Sequence, residues 1–184
     1  MTARRRARAG LLVAAIGCVL LAAPADSPGQ PPAPATQLQG TFQMTGTVTV
    51  ARFIRGEHVG ETVQRSWTFT PLCSSGPCAT VQLVRSRRTA TDTLTLTAVG
   101  PNDYAGTGQF SAPLRCAARI YNPGVSIPFQ IRVHVTATGP AAGGGTVATA
   151  ITASYVNTSR LNLTPCVSVL GHDTATYTGT LAPG

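Results

Sequence analysis

Residues 125–135 alternate without a break. Val125, Ile127, Phe129, Ile131, Val133 and Val135 occupy every second position, with Ser126, Pro128, Gln130, Arg132 and His134 between them. A period of two marks a strand with one buried and one solvated face, and it excludes an amphipathic helix here. Weaker copies of the pattern recur along the chain. The 27 threonines, many of them alternating with apolar residues, reinforce it, because β-branched side chains favour extended backbone. Helix signals are nearly absent.

The alternation predicts eight strands, at about 41–52, 61–70, 79–88, 92–99, 104–111, 125–135, 146–157 and 172–181. The inward residues include Phe42, Met44, Val48 and Val50 on the first strand, Val63, Trp67 and Phe69 on the second, and Val81 and Leu83 on the third. Gly56–Gly60, Cys73–Cys78, Gly100–Asp103 and Ala141–Gly145 are turn clusters. An irregular stretch is expected from about residue 112 to Gly124. Short connections between so many strands point to an all-β fold, an eight-stranded antiparallel up-and-down meander. Closing it into a barrel removes both sheet edges and is the favoured arrangement. A β-sandwich is the alternative.

Residues 1–25 have the three parts of a secretory signal peptide. Arg4, Arg5, Arg6 and Arg8 are the basic region, Leu11–Ala23 the apolar region, and Ala23-Pro24-Ala25 the small residues at the cleavage position. The apolar run is shorter than the roughly 20 residues of a transmembrane helix. Cys18 raises a lipoprotein site as a second reading. Residues 26–37 are rich in Pro, Ala and Gln and are expected to be a spacer. Residues 38–184 are one domain's worth of chain, placed outside the cytoplasm, secreted or in the cell envelope.

Four cysteines follow the signal: Cys73, Cys78, Cys116 and Cys166. An even count in an oxidising compartment implies two disulfides. A meander sorts its turns between two ends, held roughly 30 Å apart by strands of about nine residues. Cys73 and Cys78 share a turn at the second end, and Cys116 and Cys166 lie in turns at the first. Of three connectivities, only Cys73–Cys78 with Cys116–Cys166 keeps each pair within the roughly 7 Å that a disulfide needs. No metal and no cofactor is expected: a Cys-x4-Cys spacing is a poor match to zinc-ligand spacing, and no His sits close by in sequence.

Charge sorts as the cysteines do. After residue 25 the chain keeps ten Arg against six acids, a formal +4, and has no Lys. Nine of those ten fall at or near the first end; Arg132 is the exception. Side-chain parity aims Arg52, Arg65, Arg85 and Arg87 inward at the mouth. A buried unpaired guanidinium is very costly, so these residues sit at a wet rim, pair with acids, or hold an anion. Arg52, Arg65, Arg85, Arg87, Arg88, Arg115 and Arg119 are the candidate binding set. The partners that suit it are an anionic small molecule, a lipid headgroup or a glycan. Nucleic acid is not expected, since no basic-aromatic motif is present. Membrane association is expected only through a retained signal or a lipidated Cys18.

Catalytic signals are weak. Glu57-His58 with Glu61 lies in a hairpin turn, where a solvated role outweighs acid–base work. His172-Asp173 and the serines lack a strand–turn nucleophile context. A metal site from His58, His134 and His172 would need His134, which alternates outward. Trp67 and Phe69 are core by parity. Asn157-Thr-Ser159 and Asn162-Leu-Thr164 fit glycosylation sequons.

Trp67-Thr-Phe-Thr-Pro71, then Cys73-x4-Cys78, Tyr104-Ala-Gly106 and single cysteines at 116 and 166, resembles a family of actinobacterial exported proteins with small, Thr- and Gly-rich domains. The resemblance implies a secreted or envelope setting, assigns no activity and carries over no catalytic residue. The expected function is a non-enzymatic extracytoplasmic binding module working at the Arg-rich end. The alternatives are a structural or inhibitory envelope protein presenting the 73–78 loop, and a secreted hydrolase.

Overall fold

The computed structural model describes residues 34–54, 56–87 and 90–183. The signal segment, Arg55 and Arg88 lie outside the described residues. Nine strands form: β1 (Gly40–Arg52), β2 (Thr62–Pro71), β3 (Thr80–Ser86), β4 (Thr91–Ala98), β5 (Asp103–Cys116), β6 (Arg119–Pro140), β7 (Thr146–Asn157), β8 (Leu161–Asn162) and β9 (His172–Leu181). Every neighbouring pair is antiparallel, from β1–β2 round to β7–β9, and β9 closes on β1. The result is a closed eight-stranded meander barrel, with β8 as a short addition beside Val125 and Ser126 of β6. Closure satisfies the backbone groups that a sandwich would leave at its edges.

The predicted inward residues other than Val50 make the core or pack against it. Phe42, Met44, Trp67, Val81, Leu83, Leu96, Tyr104 and Ile131 are fully buried. Each fully buried large apolar side chain contributes about 1.5–3 kcal/mol. Phe42 and Phe69 meet edge to face at 5.5 Å between ring centroids. Where rings are large, the facing strand supplies glycine. An added Cβ on Gly46 would collide with the Tyr177 ring, and one on Gly108 with the Phe129 ring. Small-against-large pairing of this kind lets a narrow barrel fill with aromatic side chains.

Three features differ from the sequence reading. The stretch 112–124 is not irregular: β5 and β6 continue as a two-stranded ribbon, with Leu114 opposite Tyr121 and Cys116 opposite Arg119. The register shifts between Ala112 and Leu114, around Pro113, which has no N–H to offer the ladder. Second, the register of β1 against β9 slips between Val48 and Val50. One extra residue there reverses side-chain parity, so Val50 is only half-buried and outside the core, and Arg52 is exposed and does not face the interior. Third, the described end of the Pro/Ala-rich stretch lies against the barrel. Gln37 bridges Val147, Ala35 N donates to Pro101 O at 2.8 Å, and Leu38 is fully buried. Tyr104 Oη donates to the carbonyls of Cys78 and Thr36 beneath this segment, at 3.1 and 3.4 Å. Residues 34–39 therefore cover the second end.

Both disulfides pair as the sorting of ends predicts, with Cα–Cα distances of 5.7 Å for Cys73–Cys78 and 6.0 Å for Cys116–Cys166. The first staples the β2–β3 turn, and the second ties the tip of the β5–β6 ribbon to the β7–β9 loop.

Candidate functional site

The first end is open where the second is covered. A cavity of about 600 Å³ lies in its mouth, within the range typical of small-molecule sites. Arg65, Arg85, Arg87 and Arg160 line it together with Glu57, Glu61 and Asp173; Phe110, Tyr155 and Tyr177 supply aromatic wall.

Strand register builds the cationic wall. Arg65 lies opposite Met44 on β1; Arg85 lies between Trp67 on β2 and Asp92 on β4. Arg85 is only 4% exposed. Its Nη2 donates to Asp92 Oδ2 at 2.6 Å, and its guanidinium sits over the Phe129 and Tyr155 rings, at 4.5 and 4.8 Å from their centroids. Such stacking suits a delocalised cation taken out of water. Arg87 Nε donates to the same carboxylate at 2.9 Å and stacks on Phe110 at 4.0 Å. Asp92 is thus one buried acid shared by two guanidiniums. Arg85 Nε has no hydrogen-bond partner among the described residues.

The other two arginines are held differently. Arg160 Nη2 pairs with Asp173 at 2.9 Å, and its Nε donates to Asn157 Oδ1 at 3.3 Å. Asn157 is fully buried and donates to the carbonyls of Pro128 and Ser159. It is therefore a structural amide in the folded chain and not an acceptor for a glycan. Arg65 donates to the Gln64 carbonyl and has no carboxylate within salt-bridge distance among the described residues.

The acids respond to this setting. Burial pushes the Glu57 carboxyl up from its usual range, helped by Asp173 and Glu61 and opposed by Arg160 and Arg65. Burial likewise pushes the phenols of Tyr155 and Tyr177 up, so both stay neutral donors.

Of the seven arginines singled out by sequence, the cavity gathers Arg65, Arg85 and Arg87. Arg52, Arg115 and Arg119 are exposed on the outside of the same end, Arg119 stacking on Tyr121 at 4.8 Å. Arg88 lies outside the described residues. Sequence reasoning left Arg160 out of the binding set and weighed Glu57 and Asp173 only as weak acid–base candidates; all three come from loops and strand ends where no period marks direction. His134 faces outward and pairs with Asp103 at 2.8 Å. A second concavity, of about 670 Å³, lies on the outer wall, where Thr45, Thr47, Thr176 and Thr178 are exposed beside Arg132 and His134. It is a groove of surface hydroxyls with no buried charge, so the mouth is the candidate site.

No protein-family model matches the chain, and neither a curated protein nor a solved structure does.

Proposed function

We propose that this chain is a non-enzymatic extracytoplasmic binding protein whose barrel mouth takes a small molecule with an anionic head and an apolar body. The head would lie against Arg65, Arg85 and Arg87, and the body against Phe110, Tyr155 and Tyr177. One observation carries the reading. Arg85 is buried in the cavity wall with one donor unmatched among the described residues, and it shares its counter-ion Asp92 with Arg87. A buried donor without an acceptor costs about 1–3 kcal/mol, and an incoming anion would recover that loss. Both disulfides fit an oxidising compartment.

Anilinonaphthalene sulfonate combines a permanent anion with fused rings and serves as the probe. Its fluorescence should titrate with one saturable site. Arg65→Glu should weaken it at least tenfold, about 1.4 kcal/mol, and Arg132→Glu on the outer wall should leave it unchanged. Equal binding by the two variants would overturn the reading. Native mass spectrometry of the exported protein would then identify the natural ligand as an adduct lost on denaturation.

The raised Glu57 carboxyl adds a pH dependence. The sulfonate keeps its charge, so a change with pH comes from the protein. As pH falls through the raised value, Glu57 takes up a proton, the mouth loses a negative charge, and the probe binds more tightly. The effect on stability follows the same sign. The folded state holds this proton more tightly than the unfolded one, so stability falls as pH rises from the usual Glu range through the raised value. Glu57→Gln should flatten both trends, in probe titrations and in urea unfolding run across that window.

A further inference from the structure

Large apolar side chains exposed to solvent are not spread evenly over this barrel. Phe53, Ile120, Leu161, Leu163, Val167 and Val169 are all more than half exposed, and Val167 is fully so. All six lie at the first end, as does Val59 on the β1–β2 turn; the second end has Leu72 and Val99. The six come from three segments that the fold draws together. Cys116–Cys166 joins the ribbon tip to the β7–β9 loop. Leu163 N donates to Gly124 O at 3.0 Å, which lays β8 along the ribbon. An added Cβ on Gly171 would meet the carbonyl oxygens of Arg52 and Phe53, so the far end of the loop abuts the β1–β2 turn.

Basic residues are interleaved with these tips. Arg52, Arg115 and Arg119 are exposed here, against Glu61 as the exposed acid among the described residues of this end. Large apolar side chains gathered and exposed at one end mark an interaction site. Its charge selects the partner. A second copy would set three arginines against three, which repel. Separate protruding tips with arginines between them offer no continuous groove for a peptide. They do suit a surface that is fluid, apolar within and negative outside, where aliphatic tips insert and guanidiniums stay at headgroup level.

We infer that the first-end rim docks on an anionic lipid bilayer, with the tips of the β1–β2 turn, the β5–β6 ribbon and the β7–β9 loop inserting and Arg52, Arg115 and Arg119 at the headgroups. The inference goes beyond the ligand reading and stands without it.

The test is sedimentation of the exported chain with phosphatidylcholine vesicles, with and without a minor fraction of phosphatidylglycerol. Wild type and variants are prepared alike, so any contribution from residues outside the barrel cancels. Wild type should partition at least tenfold more strongly onto the anionic vesicles, and less so as salt rises. Val167→Asp with Val169→Asp, and separately Arg115→Glu with Arg119→Glu, should each lower partitioning about tenfold. Leu72→Asp with Val99→Asp at the second end should not. Val167 and Val169 contribute little buried area, so their pair should keep the wild-type melting temperature and sulfonate binding, which separates this test from that of the mouth. Absence of sedimentation, or an equal loss in the second-end pair, would overturn the inference. So would rim variants that change oligomer size in size-exclusion chromatography while vesicle binding persists, because the face would then be a protein interface.

Discussion

Asp92→Ala should destabilise the barrel by about 3–5 kcal/mol, a large share of the stability of any single domain. The reason is the guanidinium it leaves behind. The Arg85 and Asp92 side chains are each 5% exposed, and Arg85 has no other carboxylate within salt-bridge distance among the described residues. Removal of the acid leaves an almost wholly buried cation over two aromatic rings without its carboxylate. The double change Arg85→Met with Asp92→Leu should restore most of the loss, since apolar residues of similar volume carry no desolvation penalty. Urea unfolding followed by Trp67 fluorescence would measure both, because Trp67 is fully buried opposite Arg85. The comparison separates two roles of the pair. A rescued fold that no longer binds the sulfonate would assign Arg85 to ligand. A fold that is not rescued would mean that the pair orders the mouth beyond its own charge balance.

Cys116→Ser with Cys166→Ser should cost up to about 4 kcal/mol by loop-closure entropy, because the bridge spans 50 residues of sequence. The corresponding change at Cys73 and Cys78 should cost about 2 kcal/mol, because that bridge spans five. The two differ in place as well as size. The first staple holds a two-stranded ribbon that projects past the barrel against a loop whose only strand, β8, is two residues long. Without the bridge, hydrogen exchange should rise across the ribbon tip and residues 158–171. It should stay low along the rest of β6 and β7, which pair from Gln130–Val156 to Pro140–Thr146. Exchange that rises uniformly would show that the bridge stabilises the barrel as a whole.

Alternation made the strands legible, and burial explains why. Wherever one face of the chain meets the core, each second residue is apolar, as in Ile127 to Val135. Connection order then sorted the cysteines between the ends correctly. Legibility failed where no core face exists to impose a period. The ribbon beyond Ala112 leaves most of its residues exposed or half-buried, so no period marked it and the stretch to Gly124 read as irregular, where Pro113 only interrupts a ladder. The extra residue in β1 is a backbone event with no side-chain signature, and it turned Arg52 outward. Residues 34–37 have no apolar alternation, so their packing over the second end was hidden within a proline-rich composition. At the site, parity found Arg65 and Arg85 because they lie on paired strands, and Arg87 because it follows β3 directly. Arg160 was left out of the binding set, and Glu57 was weighed only for acid–base work, because loop residues have no parity to read.

Residues 34–39 reach the barrel at the end away from the mouth. That sets a direction for the whole molecule. Anything that holds the chain upstream of Pro34, whether a retained leader, an affinity tag or the surface of a sensor chip, holds it by its closed base. The opening is at the opposite pole from that point of attachment. Held by the opposite terminus the orientation is the same, because β9 also finishes at that base, with Leu181 beside Phe42. Both ends of the described barrel chain are handles on one pole, and the mouth lies at the other.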